Sequence, residues 1–226
     1  MKTLHTKLFL MLTFMITALF TTVTNAAVIA RYEFNVSGSF APTTVISGVT
    51  ASDLLKGAGL APAYWSSGTI AANSNAISDN LATAVSAGDY LEIQITPSVN
   101  KKMTLTSFSY DYAATAGAGI NYFANFYGRS SVEGFTVNMA GTAWPKLVNA
   151  TNTLNVNIPL GAAYADLTGV TSFRIYITDR TFFDGSSHQS RVDNIQVEGL
   201  VSDVPEPTAL SLALLTATGL LLRRRV

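Results

Sequence analysis

The chain has 226 residues, a formal net charge of zero, 12% charged residues, two histidines and no cysteine. Without cysteine there is neither a disulfide framework nor a thiolate metal site, and a zinc site would need more His or Cys ligands than exist. Five of the fourteen basic residues lie in the two hydrophobic ends, so residues 27–207 hold nine Lys and Arg against fourteen Asp and Glu, a mildly acidic balance that gives no basis for nucleic-acid binding.

The N-terminus carries Lys2 and Lys7, then 13 apolar-rich residues from Leu8 to Phe20, then small residues up to Ala26. A basic start, a short apolar stretch and small residues at the boundary make a secretory signal peptide over residues 1–26, cut after Ala26, with Ala27 as second choice. The export machinery (the Sec route) and a signal peptidase are the partners this segment requires. The alternative, an uncleaved anchor, has a run short of the roughly 30 Å hydrocarbon core.

From residue 27 the pattern turns to strands separated by Gly, Asn, Asp and Pro. The first run, Val28 to Val36, sets Tyr32, Phe34 and Val36 on one face and Arg31, Glu33 and Asn35 on the other. Ser52 to Gly57 reads as one capped helical turn. Leu81 to Ala87 is too short and too β-branched to support a helix. Tyr90 to Thr96 alternates with Leu91, Ile93 and Ile95 inward and Glu92, Gln94 and Thr96 outward, and Pro97 stops it. Further runs are Met103 to Tyr112, Ile120 to Tyr127, Thr153 to Ile158, Ser172 to Thr178 and Arg191 to Leu200. In the run at 172–178, Phe173, Ile175 and Ile177 oppose Arg174, Tyr176 and Thr178. The last run splits less cleanly, which predicts a bulge or cover on both faces. Many short strands without alternating helices specify an all-β fold, a jelly-roll β-sandwich of antiparallel strands over residues 27–203.

The C-terminus, residues 204–226, reads Val204-Pro205-Glu206-Pro207, an uncharged apolar stretch over 208–222, then Arg223-Arg224-Arg225-Val226. As a helix those 15 residues reach ~22 Å. The arginines hold that end in the cytoplasm by the positive-inside rule, and the signal peptide puts the domain on the other side. The three-part tail resembles the PEP-CTERM sorting signal. That resemblance implies transient membrane insertion through 208–222, with Pro205, Glu206 and Pro207 as the processing motif for an exosortase. It implies delivery to the cell surface or extracellular matrix of a host that makes polysaccharide or biofilm. The alternative is a plain C-terminal membrane anchor with a chance Pro-Glu-Pro.

A second resemblance covers about half of the mature chain. Leu-Thr-Ser-Phe-Ser-Tyr-Asp-Tyr at 105–112, Tyr-Gly-Arg-Ser-Ser-Val-Glu-Gly-Phe at 127–135, Ser-Phe-Arg-Ile-Tyr at 172–176 and Ser-Arg-Val-Asp-Asn-Ile-Gln-Val-Glu-Gly at 190–199 follow one another in the order of galactose-binding-like and carbohydrate-binding jelly rolls. The usual Ser-x-Asp-Gly turn is Ser131-Val132-Glu133-Gly134 here, which removes the aspartate from that turn.

Chemistry-bearing candidates are few. Glu33 and Asp193 lie in the first and last strands, which pair in many such folds, and hard oxygen ligands there suit a structural calcium. The competing reading pairs Asp193 with a turn or with Arg191 and leaves Glu33 solvated. Aromatics cluster at Tyr110, Tyr112, Tyr122, Phe123, Phe126 and Tyr127. Trp65 and Trp144, beside turn formers, are candidate sugar platforms, although aromatics in a sandwich more often fill the core. His188 stands in a polar loop with Ser and Asp nearby, but residues so close along a chain rarely take up triad geometry, and no Gly-x-Ser-x-Gly elbow occurs. No catalytic residues are assigned. The sequence points to a non-catalytic matrix or surface protein, with a carbohydrate-binding module as the alternative and a glycoside hydrolase or lyase behind both.

Overall fold

The computed structural model describes residues 26–61, 64–66, 68–73, 80–115, 123–139, 147–148, 154–179 and 189–205. The described chain runs β1 (Ala27–Tyr32), β2 (Thr44–Val45), β3 (Val49–Ala51), β4 (Leu55–Lys56), β5 (Tyr64–Ser66), β6 (Thr69–Ala71), helix α1 (Leu81–Ala87), β7 (Tyr90–Pro97), β8 (Lys101–Thr115), β9 (Phe123–Ser130), β10 (Leu147–Val148), β11 (Leu154–Pro159), β12 (Thr171–Asp179) and β13 (Gln189–Asp203). The long strands fall alternately into two antiparallel sheets. One has the order β11-β8-β13-β1-β2, with β6 also on β13 and β5 on β6. The other has the order β10-β9-β12-β7-β3, with β4 also on β7. This is the antiparallel β-sandwich expected from the strand pattern.

Period-two alternation decides which side chains fill the space between the sheets. Ile29, Tyr32, Phe108, Tyr110, Tyr112, Val156, Ile158, Val192, Ile195 and Val197 come from the first sheet. Leu91, Ile93, Ile95, Phe126, Phe173, Ile175 and Ile177 come from the second. Ring contacts cross the interface: Phe108 stacks on Phe173 with centroids 4.7 Å apart, and Tyr112 meets Phe126 at 4.9 Å. Each such side chain taken out of water contributes roughly 1.5–3 kcal/mol, and offset ring pairs add about 0.5–1.5 more. Tyr32 is buried with its hydroxyl donating to Ser52 O at 2.7 Å. Burial holds its pKa well above the ordinary tyrosine value, against the lowering effect of that bond.

The terminal strands pair, as anticipated: β1 lies antiparallel to β13, with Ala27 opposite Gly199 and Tyr32 opposite Ile195. The mixed pattern of the last strand has its cause in a bulge between Asp193 and Gln196, where Asn194 takes φ of +46°. The extra residue flips the alternation, so Val192, Ile195 and Val197 all face the core. Gly199 in the same strand passes so close to the Thr104 carbonyl and the Leu105 backbone that a Cβ has no room.

Three local expectations are corrected. Ser52 to Gly57 is not a helical turn. Ser52 Oγ accepts from Gln94 N at 3.2 Å, and Leu55 and Lys56 pair with Glu92 and Leu91 of β7, so the sheet edge wins over the local cap. Leu81 to Ala87 is a helix after all. Asn80 caps it, its side chain accepting from Thr83 N, and Gly88 closes it at φ +78°. Val36 is 65% exposed rather than on the core face, because β1 ends at Tyr32 and only Phe34 beyond it stays buried. Among the described residues no helix is long and apolar enough to cross a membrane. The signal segment 1–25, the stretch 208–222 and Arg223, Arg224 and Arg225 lie outside the described residues.

Candidate functional site

The outward face of the second sheet gathers side chains of a distinct kind. Residues alternating with the core present Tyr90, Glu92, Gln94 and Thr96 from β7, Arg174, Tyr176 and Thr178 from β12, and Asn125, Tyr127 and Arg129 from β9. Strand register then sorts them into rows. Tyr127 stands opposite Tyr176, which stands opposite Tyr90. One step along, Arg129 stands opposite Arg174, which stands opposite Glu92. A row of three tyrosines thus runs beside a row of two arginines and a glutamate.

The second row is locked from below. Arg174 Nε donates to Glu92 Oε2 at 2.6 Å, and Gln94 Nε2 donates to Glu92 Oε1 at 2.7 Å. The Glu92 side chain is 8% exposed and that of Arg174 24%. The Arg174 guanidinium lies over Tyr90 at 4.1 Å from the ring centroid and over Phe135 at 3.9 Å, and Nη1 donates to Tyr176 Oη at 3.3 Å. Burial alone lowers the pKa of this guanidinium. The bonds to Tyr176 and Glu92 and the Glu92 charge outweigh that, so its pKa sits above the usual arginine value.

Phe135 reaches this position through the Ser131-Val132-Glu133-Gly134 turn. Ser131–Glu133 forms a single 3-10 turn ended by Gly134 at φ +61°, and Phe135 follows at φ +57° with its N–H bonded to Ser130 O at 2.8 Å. Two successive left-handed residues swing the chain back over the sheet, a geometry that favours glycine and strains a phenylalanine. Arg129 fastens the same turn, donating from Nη1 to Phe135 O at 2.8 Å and from Nε to Asn138 Oδ1 at 2.9 Å. Its guanidinium lies 5.6 Å from the Tyr176 ring centroid. Tyr176 itself is only 2% exposed and acts as a floor, edge-on to Tyr90 at 5.4 Å. The half-buried Tyr90, Tyr127, Gln94 and Arg129 are the groups a ligand can touch.

No family model matches the chain, and no curated protein matches it. Among solved structures it is similar to a mannan-recognising carbohydrate-binding module, TmCBM27, at 10% identity over 78% of this chain and 99% of that one, with a TM-score of 0.39. It is similar to the CBM22-1 xylan-binding domain of Paenibacillus barcinonensis Xyn10C at 9% identity over 79% of this chain and 97% of that one, TM-score 0.34. It is also similar to a Stig cyclase from Fischerella sp. TAU at 9% identity over 81% of this chain and 93% of that one, TM-score 0.29. The architecture rests on the strand pairing above and not on these likenesses.

The residues singled out in the sequence fare unevenly. Asp193 lies in β13, but Glu33 falls just beyond the end of β1 rather than in it and is ion-paired with Arg31 at 2.5 Å. Asp193 Oδ1 accepts from Asn194 N at 2.8 Å and Phe34 N at 3.5 Å. Burial raises the pKa of Asp193, the two backbone bonds lower it, and the charges of Asp111 and Glu33 raise it further. Among the described residues no group of three or more acidic or histidine side chains converges to hold a metal ion. Trp65 lies in β5 with its side chain outside the described residues, and Trp144, His188, Glu206 and Pro207 lie outside them altogether. Ala26 and Pro205 are exposed at the two ends of the description. Of the aromatic cluster, Tyr110, Tyr112 and Phe126 are core, while Tyr127 faces outward. The alternation in the sequence already turns Glu92, Gln94, Arg174 and Tyr176 outward. Arg129 and Phe135 stand in the 127–135 segment that carries the resemblance, but nothing in the sequence gives either a role at a site or brings β9, β12 and β7 side by side.

Proposed function

We propose that this protein is a non-catalytic carbohydrate-binding β-sandwich that works outside the cytoplasm, with the outward face of the β9-β12-β7 sheet as its glycan site. The observation that carries this is the register: partly exposed tyrosines flank a buried one across three strands, beside planar guanidinium and amide groups. Aromatic faces suit the C–H faces of sugar rings, and fixed arginine, glutamine and asparagine side chains suit hydroxyls. Binding sites of this kind combine a largely apolar platform with a few oriented polar groups, and this face has both. The reading takes the export from the signal peptide over residues 1–26. It takes delivery to the surface or matrix from the PEP-CTERM-like tail at Pro205, Glu206 and Pro207, with an exosortase as the processing partner. It moves the sugar platform from Trp65 and Trp144 to Tyr90 and Tyr127.

The test is titration calorimetry of the purified protein against a panel of soluble polysaccharides, with Tyr127→Ala, Trp65→Ala and Trp144→Ala alongside. Saturable binding that Tyr127→Ala weakens at least ~10-fold, with little change in melting temperature, supports the site, since a tenfold loss is about 1.4 kcal/mol, the scale of one aromatic contact. Binding lost only in the tryptophan variants moves the site back to them. Binding to no glycan ends the proposal.

A further inference from the structure

Among the described residues, the two outward faces of the sandwich differ in the sign of their charge. Between residues 27 and 207 acids outnumber bases fourteen to nine, so an even spread would make every face acidic. The first sheet follows that bias. Its outer side carries Asp111, Asp193 and Glu198, with Glu33 just beyond β1, against Arg31, Arg191 and Lys102, the last paired with Asp166. Asp111 there accepts from Asn155 Nδ2 at 2.7 Å and Asn194 Nδ2 at 2.6 Å, and Glu198 accepts from Ser107 Oγ at 2.9 Å and Gln196 Nε2 at 2.8 Å, so these two acids are held by neutral donors. Among the described residues, the outer side of β9, β12 and β7 reverses the sign, with Arg129 and Arg174 against Glu92.

The two arginines are not equivalent. Arg174 is neutralised by Glu92 at 2.6 Å and wedged between the Tyr90 and Phe135 rings. Arg129 touches only neutral acceptors, Phe135 O and Asn138 Oδ1, and among the described residues no carboxylate pairs with it. Those two bonds fix the guanidinium plane and occupy Nε and one Nη1 hydrogen, leaving Nη2 uncommitted. An oriented guanidinium with full charge and free donors, placed beside the partly exposed Tyr127, is the arrangement that receives a planar carboxylate.

Building on the glycan reading above, we infer that the ligand of this face is an acidic polysaccharide with uronic-acid units, whose carboxylate is received by Arg129. The sugar ring stacks on the partly exposed Tyr127 beside Arg129, and the positive face steers a polyanion toward this side of an otherwise acidic domain.

The experiment titrates the purified protein with a uronic-acid polymer, the same polymer after its carboxylates are reduced to hydroxymethyl groups, a neutral mannan or xylan, and a sulfated polysaccharide. The expected result is that the uronate polymer binds best, that carboxyl reduction costs about tenfold or more, and that added salt weakens the uronate complex. Arg129→Gln removes the preference for the unreduced polymer, and Arg129→Lys, which keeps the charge without the fork, restores part of it. Melting curves of both variants, and their retained binding of the reduced polymer, separate loss of the carboxylate contact from loss of fold. Equal affinity for the uronate polymer and its reduced form, or an unchanged preference in Arg129→Gln, overturns the inference while leaving the glycan site intact. A preference for the sulfated chain over the uronate overturns the carboxylate assignment. Binding to none of the four overturns the glycan reading and this inference with it.

Discussion

Replacing Glu92 by glutamine probes the lock beneath the candidate site. The carboxylate accepts two hydrogen bonds, from Arg174 Nε at 2.6 Å and Gln94 Nε2 at 2.7 Å. An amide of the same shape has one acceptor oxygen, so whichever donor it serves, its own NH2 faces the other. The Gln94 amide can turn its own oxygen to that NH2, so both contacts survive in form, and what the variant loses is the charge: Arg174 is left without a counter-charge. A hydrogen bond to a charged group is worth roughly 1.5–3 kcal/mol, and orphaning one member of a fully buried pair costs about 3–5 kcal/mol. With 24% of the Arg174 side chain still in water, solvent screens part of that loss, and the lower end applies, about 2–3 kcal/mol. For a domain of this size each kcal/mol moves the midpoint by roughly 2–4 °C, so Glu92→Gln is expected to melt about 4–12 °C below the parent.

The decisive measurement is a double-mutant cycle by thermal or urea unfolding. Arg174→Met removes the charge that Glu92 serves and keeps most of the stem that packs on Tyr90. In that background Glu92→Gln should cost less than about 1 kcal/mol, because no guanidinium is left stranded. If Glu92→Gln costs the same with and without Arg174, the two residues do not act as a pair, and the reasoning about the locked row fails.

Two more outcomes follow from the packing and the charge layout. Phe108→Ala, which empties a fully buried site against Phe173, should lower unfolding free energy by about 3–5 kcal/mol, whereas Val99→Ala at 90% exposure should stay within about 0.5 kcal/mol, both read from urea titrations. Asp193→Asn keeps the acceptor for Phe34 N and Asn194 N but removes a charge whose folded-state pKa is raised above 3.8. Because the ionised aspartate is the disfavoured form in the fold, the variant should be the more stable protein at neutral pH. That advantage should shrink as pH falls through the raised value and vanish only below pH 3.8, once the aspartate is protonated in the unfolded state as well as in the fold. A constant difference across a pH series of melting temperatures would contradict the assignment.

The alternating runs at 90–96 and 172–178 could be read directly, because period two is local and each residue reports its own side. The link between first and last strands was not local in this sense; it came from the resemblance to jelly-roll folds, in which the terminal strands often pair. The capped turn proposed at Ser52 to Gly57 fails because its backbone has a better partner in β7, which no local window contains. Helix α1 was missed because its strength lies in its ends, Asn80 and Gly88, rather than in the Thr and Val between them. The candidate site is the least legible part. Tyr90, Tyr127 and Tyr176 are ordinary strand tyrosines until register puts them in one row, and register is set by pairings between distant segments. In the stretch from Tyr110 to Tyr127 aromatics look like one cluster, yet opposite orientation sends Tyr110 and Phe126 to the core and Tyr127 to the surface.

The pairing of β1 with β13 also has a mechanical consequence. With Ala27 beside Gly199, the chain enters and leaves the sandwich at the same pole, in neighbouring strands of the sheet that does not bear the tyrosine row. A tether at either end therefore leaves that row clear. Traction on the C-terminal end pulls β13 lengthwise between β8 and β1, which hold it on both flanks, so its bonds are loaded together in shear rather than peeled one at a time.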